Sequence, residues 1–173
     1  GAIGDQGPVK QGTGFEPATW LGTQLASQVL TLLDQPGEAR PTSLVVDQRT
    51  MRLPPARFRL GTLSLPSWLS QSLVDDDAML TLVAVDSSLL LGLPCEFSAE
   101  LGLELKGHAR TLGYQPLLVG FANDYIGYCL PKRLYGSTSY EASLMFNGPA
   151  TGEQLVDEFK RMMDELNAPP NEH

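Results

Sequence analysis

Two apolar runs that lie almost back to back along the chain constrain its fold more than any other feature. Met79–Val85 and Ser88–Leu93 are each as long as a strand, rich in Leu and Val, and separated only by Asp86 and Ser87, which favour a tight turn. Continuous apolar runs of this length predict a hairpin that is buried on both faces. A chain with such a hairpin therefore needs a covering layer on each side of its sheet.

Helical and strand-like patterns alternate around this hairpin. Apolar periodicity predicts helices over Glu16–Asp34 and Phe97–Leu112, and β-rich runs predict strands over Ser43–Leu53, Arg57–Leu65 and Pro116–Phe121. A further helix is predicted to begin at Thr151, where the spacing to Gln154 fits a capping box. Asn123–Tyr140 has no clean period, which predicts a long ordered loop of the kind that carries function. The predicted fold class is α/β in the mixed α+β sense, a mixed sheet with flanking helices.

The length of 173 residues suits a single folded portion, predicted over 1–167, followed by a disordered tail over 168–173. The opening segment Gly1–Gly14 is rich in glycine and has loop chemistry with no element before it. Three predicted helices are too few to cover both faces of the sheet. We therefore expect the chain to be part of a larger domain, covered either by a missing N-terminal half or by a second copy of itself.

Composition excludes several classes of function. A net charge of −8 with only 12 Lys and Arg argues against a nucleic-acid partner or an anionic membrane surface. No apolar run reaches eighteen residues, and no basic stretch precedes an apolar core near Gly1, so we expect neither a transmembrane helix nor a signal peptide here. Two cysteines and two histidines cannot form a disulfide framework or a histidine-rich metal site.

Polar side chains follow two of the predicted strands. Glu96 comes directly after Ser88–Leu93, where a carboxylate is costly unless it is paired or binds a metal. Tyr128 lies in the loop after Pro116–Phe121, and open α/β sheets bind ligands where strand ends meet. Two ordinary interpretations stay open at this point: Glu96 caps the following helix, and the tyrosines are packing residues. Cys95 has no histidine nearby, which favours a buried small residue over a nucleophile.

The string Gly4-Asp5-Gln6-Gly7-Pro8 also has two interpretations. Its backbone N–H groups could face an oxyanion at an active-site turn, or it could be a plain structural turn.

Four strings taken together resemble the C-terminal half of the catalytic domain of the neutral/alkaline (non-lysosomal) ceramidase family. They are Gly4-Asp5 with Pro8, Pro94-Cys95-Glu96-Phe97, Asn123-x-Tyr125-x-x-Tyr128, and Tyr140-Glu141-Ala142-Ser143 followed by Gly148-Pro149. They occur in the family's order, and Tyr140 lies twelve positions after Tyr128, which matches the interval in the family. The ordered set covers nearly the whole chain and is moderately specific, although each string alone is weak.

The resemblance implies a zinc amidohydrolase that cleaves the N-acyl bond of ceramide. Glu96 and Tyr128 match two of the family's zinc ligands, and its two zinc histidines would lie upstream of Gly1. Tyr140 matches a tyrosine near the substrate carbonyl, and Asp5 and Gly7 fall in the family's catalytic turn. Gly7 stands where the family has a catalytic serine, and Cys95 stands where it has glycine.

The resemblance therefore predicts a zinc-dependent amidohydrolase, incomplete in this chain, that acts on a small-molecule or lipid amide. The alternative is a non-catalytic lipid- or ligand-binding module on the same scaffold, favoured by the missing serine. The same resemblance implies a secreted or membrane-associated protein.

Overall fold

The computed structural model describes residues 1–9, 12–35, 37, 42–60, 63–64 and 76–168. The chain divides into two compact units, unit 1 with Gly1–Gln6 and Ser43–His173, and unit 2 with Gly7–Thr42. The prediction of one folded portion over 1–167 stays a prediction. The predicted disordered tail lies outside the described residues, apart from Ala168.

Unit 2 contains helix α1 (Glu16–Leu33). Pro17 occupies its first turn, where the missing N–H is not needed, and the N–H of Asp34 donates to the Leu30 carbonyl at its end. The helix matches its predicted range closely. No residue of α1 is buried, so the apolar stripe that predicted this helix, including Trp20 and Leu25, is left exposed.

The described elements of unit 1 follow one another along the chain as strands β1 (Leu44–Arg52), β2 (Arg59–Leu60), β3 (Leu63–Ser64), β4 (Asp77–Val85), β5 (Ser88–Leu93) and β6 (Glu96–Phe97), helix α2 (Ala99–Thr111), strands β7 (Gln115–Gly120) and β8 (Tyr128–Cys129), a 3-10 turn (Lys132–Leu134), and helices α3 (Tyr140–Ser143) and α4 (Thr151–Leu166).

Four of these strands form the main sheet, in the order β1-β4-β5-β7. β4 and β5 form the predicted hairpin, β1 pairs antiparallel with β4, and β7 pairs parallel with β5. Because parallel neighbours need a crossover, α2 connects β5 to β7. The mixed sheet with flanking helices confirms the predicted fold class.

One face of the sheet forms the core of unit 1. Leu80 and Leu82 of β4 and Leu91 of β5 are fully buried against α2 and α4, which contribute Leu105 and Phe159. Burying a Leu or Phe side chain contributes about 2 kcal/mol, so this layer supplies most of the stabilisation.

The opposite face of the sheet is less covered. Side chains alternate along β4 between buried and more exposed positions, and Val46 of β1 and Leu117 of β7 are each 56 % exposed. The hairpin is therefore buried on one face, not on both, within the described part of the chain. The expectation that a further layer or a second copy covers the other face stays a prediction.

Local details differ from the sequence-based predictions in three places. The run Arg57–Leu65, predicted as one strand, contains the two short strands β2 and β3, which pair with each other. Helix α2 begins at Ala99, because the side chain of Ser98 accepts a hydrogen bond from the N–H of Leu101. No capping box precedes α4, since the Thr151 hydroxyl instead donates to the Asn147 carbonyl at 2.8 Å. Among the described helices, none has the length and apolar character needed to cross a membrane.

Candidate functional site

Two parallel strands of the sheet end at the same edge and continue into a second, smaller pair. β5 leads through Pro94 and Cys95 into β6, and β7 leads through residues 121–127 into β8. β6 and β8 pair in parallel, with Glu96 opposite Tyr128. The topology therefore brings together the two strand-end residues that the sequence singled out, as expected for this kind of sheet edge.

Backbone hydrogen bonds fix the loop that carries Tyr128. The N–H of Ile126 donates to the Pro94 carbonyl at 2.8 Å, and the N–H of Glu96 donates to the Gly127 carbonyl at 2.9 Å. Gly127 has a φ of 85°, and a Cβ there would lie 2.5 Å from the Leu144 carbonyl oxygen. Only glycine fits this position without strain.

Glu96 is not a helix cap. Ser98 holds the N-cap position of α2, so the helix-cap interpretation of Glu96 is wrong. The N–H of Gly4 donates to the Phe97 carbonyl at 2.9 Å, and a Cβ on Gly4 would lie 2.6 Å from the Glu96 carbonyl oxygen. The first residues of the chain thus pack directly against the strand that carries Glu96.

Asp5 lies at the start of α2. Its Oδ1 accepts a hydrogen bond from the N–H of Ala99 at 2.8 Å, where a carboxylate also complements the helix dipole. This contact explains the position of Asp5 in structural terms, and its catalytic role stays a prediction. Gly7 is the first residue of unit 2, and its predicted role is likewise untested.

Two phenols face the Glu96 carboxylate. The Tyr125 hydroxyl donates to Glu96 Oε1 at 3.1 Å, and burial together with this carboxylate raises the pKa of Tyr125 to about 12. The carboxylate of Glu96, with a smaller contribution from burial, also raises the pKa of Tyr128 well above its ordinary value. Both phenols are therefore protonated at neutral pH beside Glu96. A bound divalent cation would have the opposite effect and favour the phenolate.

Tyr140 completes the cluster. Its ring meets the ring of Tyr128 edge-on, with centroids 6.0 Å apart and an interplanar angle of 80°. Tyr140 is the first residue of α3, whose N-cap is Ser139, and its side chain is 68 % exposed. The site therefore presents one carboxylate and three phenols, of which that of Tyr140 is the most accessible.

The donor set is small for a metal ion. Within the residues that the structure describes, no three or more His, Cys, Asp or Glu side chains form a group that could hold one. Glu96 and Tyr128 together offer two oxygen-donor side chains, a carboxylate and a phenol. The two cysteines beside them are buried, as expected for packing residues, and burial raises the pKa of the Cys95 thiol.

Sequence reasoning named Tyr125 only within the string Asn123-x-Tyr125-x-x-Tyr128 and assigned no role to Phe121. The rings of Phe121 and Tyr125 stack with centroids 5.5 Å apart and an interplanar angle of 1°, directly beside Glu96. A contact between Tyr125 and Glu96 is suggested by the position of Tyr125, three residues before Tyr128 in a loop that returns to the same sheet edge.

No protein-family model matches the chain, and no curated protein matches it. Among solved structures, neutral ceramidase from Pseudomonas aeruginosa superimposes with a TM-score of 0.67 over 92 % of this chain, at 17 % sequence identity. The chain has a ceramidase-like fold. A ceramidase complexed with C2 matches 53 % of the chain and 15 % of its own length, at 24 % identity and a TM-score of 0.47.

The ceramidase-like fold confirms the resemblance that the four sequence strings indicated, at the level of architecture. The chain spans 35 % of the length of the Pseudomonas aeruginosa enzyme. The activity, substrate and metal of this protein are therefore matters for proposal.

Proposed function

We propose that this chain supplies part of the active site of a zinc-dependent amidohydrolase, which cleaves the N-acyl bond of a small-molecule or lipid amide. The proposal rests mainly on the position of Glu96 opposite Tyr128 in a pair of parallel strands. The ceramidase-like fold supports it, because the neutral ceramidase that it resembles is named for hydrolysis of this kind of bond.

Glu96 and Tyr128 would hold the zinc ion. A carboxylate oxygen and a phenolate oxygen are hard donors that suit zinc, and they fit part of a centre that needs at least three protein ligands. We expect the other ligands to be histidines outside the described residues. When bound, zinc supplies a Lewis acid and a water of lowered pKa to an amide carbonyl.

The chain's own residues would handle the rest of the reaction. Tyr140 is exposed beside Tyr128, and its hydroxyl can donate a hydrogen bond to the oxygen that gains charge as the amide is attacked. Asp5 is held by the N–H of Ala99, which keeps the first turn of the chain against the strand of Glu96. The rigid β6–β8 pair fixes Glu96 relative to Tyr128, so little reorganisation is needed during the reaction.

A non-catalytic binding module is the second candidate, and Gly7 favours it. The resemblance places a catalytic serine at this position, and glycine offers no hydroxyl. A Cβ at Gly7 would meet no atom within 4 Å, so serine can be introduced there without a clash. If the site is a hydrolase that has lost its serine, Gly7→Ser should raise amide hydrolysis. If the scaffold only binds ligands, Gly7→Ser should leave hydrolysis undetectable.

The proposal is tested by hydrolysis of a fluorogenic N-acyl amide by the protein as its gene encodes it, supplied with zinc. Tyr140→Phe should lower kcat by about 10²-fold or more, as expected for loss of one oxyanion donor. Tyr114→Phe is the matched control, because Tyr114 lies next to the opposite end of β7. Equal activity in the two variants would contradict the role of Tyr140, and no hydrolysis of any N-acyl amide, even with Gly7→Ser, would favour the binding module.

A further inference from the structure

Glu96 has a hydrogen-bond partner that neither the sequence analysis nor the fold comparison assigns. Tyr125 donates to Glu96 Oε1 at 3.1 Å, and Tyr125 is not one of the proposed ligands. We propose that Tyr125 is a positioning residue. Its hydroxyl holds one oxygen of the Glu96 carboxylate, and this orients the carboxylate so that its other oxygen can bind the metal. This inference rests on the proposed function.

A glutamate needs such a restraint at this position. Its side chain has three rotatable bonds, and ordering it costs up to about 2 kcal/mol of rotamer entropy. Glu96 is half-buried on a strand of only two residues, so part of its side chain faces solvent. Metal-binding carboxylates in proteins are themselves hydrogen-bonded, and these outer partners set the orientation and affinity of the ligand.

Tyr125 is itself held in place. Its ring stacks on Phe121 in a parallel arrangement, with centroids 5.5 Å apart, although both rings are at least half exposed. Phe121 has a φ of 58°, in the left-handed region that bulky residues avoid. Such strain persists only where the surroundings determine the conformation, and it is concentrated at functional sites.

The loop around Tyr125 supplies those surroundings. The side-chain amide of Asn123, which also has a positive φ, donates to the Thr81 hydroxyl at 2.9 Å. The carboxylate of Asp124 accepts from the N–H of Met79 at 2.8 Å. These two bonds fasten the loop to β4 at the residues between Phe121 and Tyr125. The hydroxyl of Tyr125 is therefore presented to Glu96 by a fixed backbone.

A purely structural role for this hydrogen bond makes a different prediction. Tyr125 is 50 % exposed, and a hydrogen bond at the surface adds little to stability. Tyr125→Phe keeps the stacked ring and removes only the hydroxyl. Phe121→Leu removes the ring beneath it and keeps the hydroxyl. The two variants separate the hydrogen bond from the stack.

The test measures zinc affinity by competition with a chromophoric chelator, and the absorption of bound cobalt(II), in the protein as its gene encodes it. Tyr125→Phe should weaken zinc binding about 10- to 100-fold, which is the usual effect of losing an outer-shell partner. It should also shift the cobalt spectrum and leave the thermal unfolding midpoint of the metal-free protein unchanged. Phe121→Leu should weaken binding less, and Tyr114→Phe should not change it.

Three other outcomes of this test would overturn the inference. Zinc binding by Tyr125→Phe that is as tight as in the unaltered protein would refute the positioning role and leave the proposed function standing. A larger effect of Phe121→Leu than of Tyr125→Phe would assign the effect to the loop and not to the hydroxyl. Absence of zinc binding in the unaltered protein would overturn both the inference and the proposed function.

Discussion

Glu96 and Tyr128 are register partners in a parallel pair of two-residue strands that follows on from β5 and β7. Neighbouring strands lie about 4.8 Å apart, so the backbone itself sets the separation between the positions that carry the two side chains. The N–H of Ser98 donates to the Cys129 carbonyl at 3.0 Å and closes this pair at its far end. Any ligand of Glu96 is therefore presented to Tyr128 as well.

Gly127 is the residue on which this register depends. We predict that Gly127→Ala destabilises the protein by about 2 kcal/mol or more, because alanine is strained at positive φ and its Cβ would clash with the Leu144 carbonyl. Urea unfolding measures the change. Gly107→Ala is the control: Gly107 lies inside α2 with no atom near its Cβ position, so alanine should stabilise by roughly 0.5–1 kcal/mol. Equal changes in the free energy of unfolding for Gly127→Ala and Gly107→Ala would contradict the role assigned to Gly127.

Arg49 joins the sheet to α4. Its guanidinium lies 2.7 Å from Asp47, 2.6 Å from Glu165 and 3.6 Å from Glu158. We predict that Arg49→Met costs about 1–2 kcal/mol, since three carboxylates lose their shared cation while Glu165 stays partly solvated.

The measurement for Arg49 is chemical denaturation beside a matched variant, Arg52→Met. Arg52 lies on the same strand but is exposed, 3.8 Å from Asp76, so its replacement should change stability by less than about 0.5 kcal/mol. If Arg52→Met lowered the stability as much as Arg49→Met, the ion pairs of Arg49 would contribute no more than an ordinary surface pair.

Glu100 and Arg133 form an exposed pair with a defined pH dependence. Two hydrogen bonds of 2.6 and 2.5 Å from the Arg133 guanidinium lower the pKa of Glu100. Because the pKa is depressed in the folded state, the contribution of the pair to stability is present above the ordinary glutamate pKa. That contribution is lost as the pH falls through the depressed value.

The check on this pair is a carboxyl NMR titration. Arg133→Gln should return the pKa of Glu100 toward its ordinary value, and added salt should have the same effect in the unaltered protein because the pair is exposed. Lys160→Gln, which removes the partner of Glu104, is the control and should not move the pKa of Glu100. An unchanged Glu100 pKa in Arg133→Gln would contradict the assignment.

The sequence predicted which segments form strands and helices better than it predicted what packs against them. The hairpin Met79–Val85 and Ser88–Leu93 is present as β4 and β5 because Asp86 and Ser87 allow only a tight connection between two strand-length runs. Within the described residues only one of its faces is buried, and the cover predicted for the other face stays a prediction. Apolar content indicates that a face needs cover, but not that the same chain supplies it.

The same distinction applies to α1. Its periodicity predicted the helix correctly, yet its apolar stripe is exposed, since periodicity records which residues share a face and not what packs there. The capping box at Thr151 was wrong because the Thr151 hydroxyl donates its hydrogen bond to the carbonyl of Asn147, four residues earlier. Threonine hydroxyls can bond a nearby backbone carbonyl instead of capping a helix, so residue type and spacing alone do not decide between the two.

The candidate site could be predicted in part. Glu96 and Tyr128 were found because each follows an apolar strand, and parallel pairing of those strands brings them to one edge. Tyr125 was named as part of a sequence string, but its hydrogen bond to Glu96 was not predicted, since the loop that presents it has positive φ angles at Phe121 and Asn123. Non-glycine residues in that region are set by tertiary contacts and are not readable from residue type.

Zinc stoichiometry and affinity, measured in the protein as its gene encodes it and in its Glu96→Gln and Tyr128→Phe variants, test the central claim most directly. Glu104→Gln, an exposed glutamate on α2, is the control. We expect one zinc per chain in the unaltered protein and in Glu104→Gln, with affinity lowered at least 100-fold in both site variants. Zinc that binds equally well in all four proteins, or in none of them, would contradict the assignment of Glu96 and Tyr128 as metal ligands.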